Sequence, residues 1–130
     1  MGKIQGIARL KKNFIFLKTH MPLADNARKH ACQMLVDAVS DKAKDNTPAF
    51  CTGDFNATPD APEIATTICQ SGILKDAYRE AAVQHGALFT FPSKKTRIDF
   101  IFVKHATVLS TRTIVSSLSD HYPMVIVVEI

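Results

Sequence analysis

Two segments limit what this chain can fold into more than any other part of it. In Ile98-Asp99-Phe100-Ile101-Phe102-Val103, and again in Met124-Val125-Ile126-Val127-Val128, apolar residues occupy both alternating positions. Successive side chains of a strand point to opposite faces, so strands of this kind have to be covered on both sides. The helical segments of the chain suffice for one side only. Cover for the other is expected from a second sheet, supplied by a missing part of the protein or by a second copy of the chain.

The remaining segments complete an α/β (α+β) pattern. A short basic start without pattern, Met1 to Lys12, precedes Asn13-Phe14-Ile15-Phe16-Leu17-Lys18, an apolar run of strand length ending in Thr19-His20. Pro22 stops it. Asp25 is placed to cap a helix whose apolar residues Ala27, Ala31, Leu35, Ala38 and Val39 recur at helical spacing, and Asp45-Asn46-Thr47-Pro48 ends that helix. A second strand passes through Cys51, and a short helix through Cys69 is broken at Ser71-Gly72. Ile73 to Tyr78 suggests a further turn of helix, and His85 to Arg97 a loop able to lie over a ligand. Ile98 to Val103, Val108 to Val115 and Met124 to Ile130 are the closing strands. One mixed or mostly antiparallel sheet with helices on one face is expected. With 130 residues, 46% of them hydrophobic, residues 1–130 are expected to form a single domain.

Charge and cysteine usage narrow the partners. Lys and Arg outnumber Asp and Glu sixteen to twelve, a net charge of +4 that favours anionic partners such as phosphate esters or nucleic acid. No Lys/Arg run exceeds the pairs Lys11-Lys12 and Lys94-Lys95, which argues against a dedicated polyanion-binding arm. Cys32, Cys51 and Cys69 lack metal-type spacing and have apolar neighbours, so buried free thiols are expected. No apolar run reaches membrane-spanning length, and the start shows no signal-peptide pattern. A soluble chain is expected, its compartment left open because a targeting peptide would precede Met1.

Four short stretches carry groups suited to chemistry. Gly53-Asp54-Phe55-Asn56-Ala57-Thr58-Pro59-Asp60 lies in a strand-to-helix loop, where Asp54 offers a carboxylate and Asn56 an amide two residues on. The plain alternative is a turn in which Asp and Asn bond their own backbone. His20 stands just past a strand end, where a lone histidine is more often structural than catalytic. Asp99 interrupts an apolar strand and needs a partner there. Ser119-Asp120-His121-Tyr122-Pro123 supplies one, since a carboxylate that fixes a histidine tautomer is a recurring catalytic device.

Taken in order, Thr19-His20, Gly53 to Pro59, Arg97-Ile98-Asp99-Phe100-Ile101 and Ser119 to Pro123 resemble the C-terminal motifs of the metal-dependent endonuclease/exonuclease/phosphatase superfamily, which has the deoxyribonuclease-I-like fold. The resemblance runs from about Asn13 onward. It implies roughly half of a four-layer α/β/β/α sandwich and hydrolysis of a phosphodiester or phosphomonoester with Mg²⁺ or Mn²⁺, ions that prefer oxygen ligands. By carry-over, Asp54 orients or deprotonates the attacking water, and Asn56 positions the phosphate and helps hold that water. His121 bonds the phosphoryl oxygens, with Asp99 as its orienting carboxylate, and Asp120 helps ligate the metal together with Asp54 and Asn56. His20 matches a histidine implicated in phosphate binding or in proton delivery to the leaving group.

Two departures qualify the carry-over. Met21-Pro22-Leu23 stands where many members have Leu-Asp-His, and the N-terminal half that gives the family an Asn and a metal-binding Glu has no counterpart in this sequence. The resemblance therefore implies a partial domain with weak metal binding and little turnover alone, completed by a missing N-terminal half. The alternative is a noncatalytic binding or assembly module, a homodimer closed through its exposed sheet face. A further alternative makes the motifs structural turns of an unrelated α/β domain. Substrates across the family include DNA, RNA, inositol phosphates and sphingomyelin, so nucleic acid, a phosphorylated small molecule and a lipid headgroup all stay open.

Overall fold

The computed structural model describes residues 12–44 and 46–130. The patternless start, apart from Lys12, and Asp45 of the segment expected to end the first helix lie outside the described residues. Strand β1 (Ile15–His20) leads into helix α1 (Asp25–Lys42) and then into β2 (Ala49–Asp54), which pairs in parallel with β1. A π-helical turn (Glu63–Ile68) and a 3₁₀ turn (Cys69–Ser71) follow, ended by Gly72 in the left-handed conformation. Strand β3 (Lys75–Asp76), helix α2 (Ala77–Glu80), β4 (Val83–Gly86), β5 (Asp99–Lys104), β6 (Thr107–Thr113) and β7 (Met124–Glu129) complete the chain.

The strands divide between two sheets where the sequence suggested one. The first has the order β1-β2-β5-β3 and the second β4-β6-β7, and each contains parallel and antiparallel pairs. The mixed α/β (α+β) class is thus as expected. One face of the first sheet packs on α1 and the π-helical turn around Cys32, Val36, Val39, Phe55, Ile64, Ile68, Phe100 and Phe102. Its other face meets the second sheet through Phe50, Ile101, Val103, Val108, Ile126 and Val128. Strand β5 is therefore covered on both sides within this chain, as its two apolar faces require.

Cover is incomplete elsewhere. Phe16 on β1 is 58% exposed and Val127 on β7 is 53% exposed, so apolar strand faces at the two outer edges lie open. Of the two segments expected to need outside cover, β5 is covered by the chain's own second sheet, Val127 of β7 lies open, and the open face at Phe16 was not foreseen.

Four local expectations are corrected. Helix α1 is capped by Ala24 in extended conformation, while Asp25 lies within the first turn and accepts a hydrogen bond from Arg28 Nη2 at 2.7 Å. Its buried residues are Arg28, Cys32, Val36 and Val39; of the expected stripe, Val39 is buried, Ala31 and Leu35 are half-buried against the core, and Ala27 and Ala38 are exposed. The face turns because Arg28 reaches the buried Glu63 at 3.0 Å, an ion pair that lets a charged side chain enter the core. Lys75-Asp76 is a strand added to β5 instead of a helical turn, with Asp76 capping α2 by accepting from Tyr78 N. In the segment 85–97, expected as a loop over a ligand, β4 takes His85 and Gly86, Phe91 and Thr96 pair in a bridge, and no residue lines the cleft. The cysteines are free, with Cys32 and Cys51 buried and Cys69 half-buried.

Candidate active site

The first sheet sets three polar side chains in one row. His20 at the end of β1 is in register with Asp54 at the end of β2, and Asp54 is in register with Asp99 at the start of β5. Register partners share a face, and this face looks toward the second sheet. Below the row come Lys18, Thr52 and Ile101, and below those Phe16, Phe50 and Val103. The polar row therefore lies at the rim of an apolar interface.

Local interactions hold Asp54 at that rim. Gly53 has φ +151°, and a Cβ there would run into the Thr19 carbonyl of the neighbouring strand, so the close approach of β1 and β2 requires glycine. Met21 N donates to the Asp54 carbonyl and Phe55 N to the Ile98 carbonyl, both at 2.8 Å. The Phe55 side chain is fully buried against Phe100 and Phe102, with ring centroids at 5.6 and 5.0 Å, which anchors an otherwise polar loop. Burial of such a ring contributes about 2–3 kcal/mol. Asn56 adopts φ 48°, donates its backbone N–H to Asp54 Oδ1 at 2.8 Å and its Nδ2 to the Met21 carbonyl at 2.7 Å. The turn bonding considered as an alternative is thus present together with the cleft. Asp54 uses Oδ1 for the turn and turns Oδ2 to the other side chains.

His121 enters from the connection between β6 and β7. Its Nδ1 lies 2.7 Å from Asp99 Oδ2 and its Nε2 3.7 Å from Asp54 Oδ2, while His20 Nε2 lies 3.5 Å from the same Asp54 oxygen. Burial pulls the His121 pKa down, but the hydrogen bond and charge of Asp99, followed by the charges of Asp54 and Asp120, outweigh it and hold the pKa above the ordinary 6.5. Asp120 itself is exposed and accepts from Ser119 Oγ at 3.3 Å. It shapes the field at His121 without joining the Asp54–Asp99–His121 group. His20, Asp54, Asp99 and His121 line a cleft of about 610 Å³, together with Lys18, Thr52, Tyr122 and Met124.

Among the described residues, one atom each from Asp54, Asp99 and His121 lie within 4.8 Å of one another. A Mg²⁺-sized ion takes one or two carboxylates and keeps several waters or phosphate oxygens. The donors fit such an ion: Asp54 keeps Oδ2 and Asn56 keeps its side-chain carbonyl free of backbone bonds, whereas His121 Nδ1 is committed to Asp99.

The sequence model of the Endonuclease/Exonuclease/phosphatase family matches residues 4–121. The chain belongs to this family. Solved structures agree. A mannosyl-6-phosphatase from Bacteroides thetaiotaomicron is similar over 92% of this chain and 52% of that one, with TM-score 0.81 and 23% identity. An endonuclease/exonuclease/phosphatase from Bacteroides vulgatus is 30% identical with TM-score 0.73, covering 82% of this chain and 45% of that one. A sphingomyelinase C from Streptomyces griseocarneus, 15% identical, shares the fold with TM-score 0.59 over 84% of this chain and 51% of that one. The chain spans about half the length of these endonuclease/exonuclease/phosphatase-fold structures. Among curated proteins no match was found. Among the described residues no helix is long and apolar enough to cross a membrane.

Of the expected site residues, the structure brings His20, Asp54, Asp99 and His121 to one rim, holds Asn56 in the loop behind Asp54 outside the cleft lining, and leaves Asp120 exposed. Sequence reasoning missed three contributors to this endonuclease/exonuclease/phosphatase cleft. Phe55 anchors the loop, Met21 bonds both Asp54 and Asn56 through its backbone, and the Phe91 ring lies 4.9 Å from that of His121. A large apolar residue inside a polar loop was the available signal for Phe55. A backbone partner such as Met21 leaves none.

Proposed function

We propose that this chain is the second half of a divalent-metal-dependent phosphoesterase domain, hydrolysing a phosphodiester or phosphomonoester by water attack when the domain is complete. The observation that carries the reading is the row His20, Asp54 and Asp99 with His121 bonded to Asp99 at 2.7 Å. Asp54 Oδ2 accepts a proton from, or orients, the attacking water. Asn56 gives one N–H to Met21 and keeps a second N–H and its carbonyl for the water and the phosphate. His121, kept protonated to higher pH by Asp99, donates from Nε2 to a phosphoryl oxygen as charge develops there. His20, exposed at the rim, is placed to give a proton to the leaving oxygen. Mg²⁺ or Mn²⁺ held by Asp54 and Asn56, with Asp120 nearby, would supply Lewis-acid polarisation of the phosphate.

The open faces at Phe16 and Val127 favour completion by a further polypeptide segment, in which case the isolated chain binds metal weakly and turns over little. The same exposed faces favour a second reading, a noncatalytic module whose two copies pair to close the sandwich. Hydrolysis of bis-p-nitrophenyl phosphate with Mg²⁺, run on the chain and on Asp54→Ala and His121→Ala, separates them when combined with light scattering. Turnover lost in both variants supports the site, and turnover surviving both rejects it. Absence of turnover in a stable dimer supports the second reading, and a well-behaved monomer rejects it.

A further inference from the structure

Three consecutive residues, Phe89-Thr90-Phe91, lie outside the cleft lining yet reach both members of the Asp99–His121 pair. Thr90 is 0% exposed, and its Oγ1 accepts hydrogen bonds from the backbone N–H groups of Ile98 and Asp99, each at 3.1 Å. Its carbonyl accepts the Tyr122 N–H at 2.7 Å. On either side, the Phe91 ring lies 4.9 Å from the His121 imidazole and the Phe89 ring 6.0 Å from that of Tyr122. The segment is closed on itself by Thr90 N and Phe91 N donating to the Thr96 carbonyl at 3.1 and 2.9 Å.

Asp99 and His121 come from different sheets. Asp99 opens β5 in the first, and His121 precedes β7 in the second. Neither ladder fixes one relative to the other, and a 2.7 Å hydrogen bond tolerates little relative movement of the two backbones. Thr90 links the two segments, its hydroxyl accepting from the Asp99 N–H and its carbonyl from the N–H of Tyr122, the residue after His121.

We propose that Thr90 is the positioning residue of this site: its hydroxyl sets the Asp99 backbone and its carbonyl sets the His121 segment, so that the imidazole keeps Nδ1 on Asp99 and presents Nε2 to the cleft. Threonine suits the task because its branched side chain has few χ1 alternatives. The proposal rests on the reading of Asp99 as the orienting carboxylate of His121, and the experiment separates the two.

The test is ¹⁵N-edited NMR of the imidazole rings at one fixed pH, with the His121 signal assigned by its loss in His121→Gln. The expected result is a protected, downfield Nδ1 proton on His121 in the starting chain, retained in Thr90→Ser and lost in Thr90→Val while the amide spectrum stays dispersed. A purely structural role would lower the melting temperature and leave the ring signal in place, so a folded Thr90→Val that keeps the signal overturns the proposal. If Thr90→Val does not fold, Thr90→Cys replaces it, since a thiol is a weak acceptor. If neither folds, Thr90→Ser decides, retention supporting the proposal and loss overturning it. Absence of the signal in the starting chain overturns the Asp99–His121 reading itself and the proposal with it.

Discussion

Replacing Asp76 by alanine strips the partner from a charge in the interior. Asp76 and Arg97 side chains are 3% and 7% exposed and meet through two hydrogen bonds of 3.1 and 2.8 Å. Breaking a buried pair by removing one member leaves the other desolvated and costs about 3–5 kcal/mol. Two local features adjust that figure. The Arg97 guanidinium lies 4.4 Å from the centroid of Tyr78 and 4.8 Å from that of Phe100, and these faces would still hold the cation by about 1 kcal/mol. In the other direction, Asp76 Oδ1 caps α2 through Tyr78 N at 3.1 Å, and loss of a cap costs about 1 kcal/mol. The two nearly cancel, so the expected loss is about 3–5 kcal/mol. Urea titration reads it as a fall in the unfolding midpoint of at least about 1 M at unchanged slope, for slopes of roughly 1–3 kcal/mol per molar. The double variant Asp76→Leu/Arg97→Met buries no charge and recovers most of the loss. A cost below about 1 kcal/mol for Asp76→Ala, the figure for an exposed pair, would refute the argument. So would a double variant no more stable than the single one.

The raised pKa of His121 couples folding to protonation: the stabilisation is complete below the ordinary 6.5 and is lost as pH rises through the higher folded value. Stability measured across that window therefore falls with pH in the parent chain and falls less in His121→Gln, and equal slopes in the two would contradict the pairing. Gly53→Ala forces β1 and β2 apart at Thr19 and is expected to cost at least about 2 kcal/mol, seen as a lower melting temperature. An unchanged melting temperature would contradict the close approach. Burial pushes the Cys32 and Cys51 thiols up to about 11 and about 12, so alkylation of the folded chain followed by mass spectrometry should mark Cys69 first. Prompt labelling of Cys51 would show that the core opens readily.

The cleft was legible in the sequence to the extent that its residues are chemically unusual where they stand. Asp99 inside an apolar strand and the Asp54-Asn56 loop announced themselves because carboxylates and amides are costly or purposeful in such places. Helix α1 shows why the rest was not. Its buried face includes Arg28, and the carboxylate that admits Arg28 to the core is Glu63, 35 residues away, so periodicity alone found Val39 and the edge residues Ala31 and Leu35 but missed the centre of the face. Strand β4 gave no alternation to detect, since Val83, Gln84, His85 and Gly86 are all exposed and the strand is held by backbone pairing with β6. Thr90 and Phe91 are ordinary residue types whose importance lies in which partners they touch, a property of the folded chain alone.

Because His20, Asp54 and Asp99 occupy neighbouring strands at matched heights, their separation is inherited from the pitch of the sheet, about 4.8 Å per strand. Changes of length in the connections between those strands can remodel what surrounds the cleft while leaving that pitch untouched. A single residue inserted within Ala49–Asp54 would instead rotate the acid toward α1 and empty the middle of the triplet. The surroundings of the cleft and the spacing of its polar row are thereby written in different parts of the chain and can vary independently.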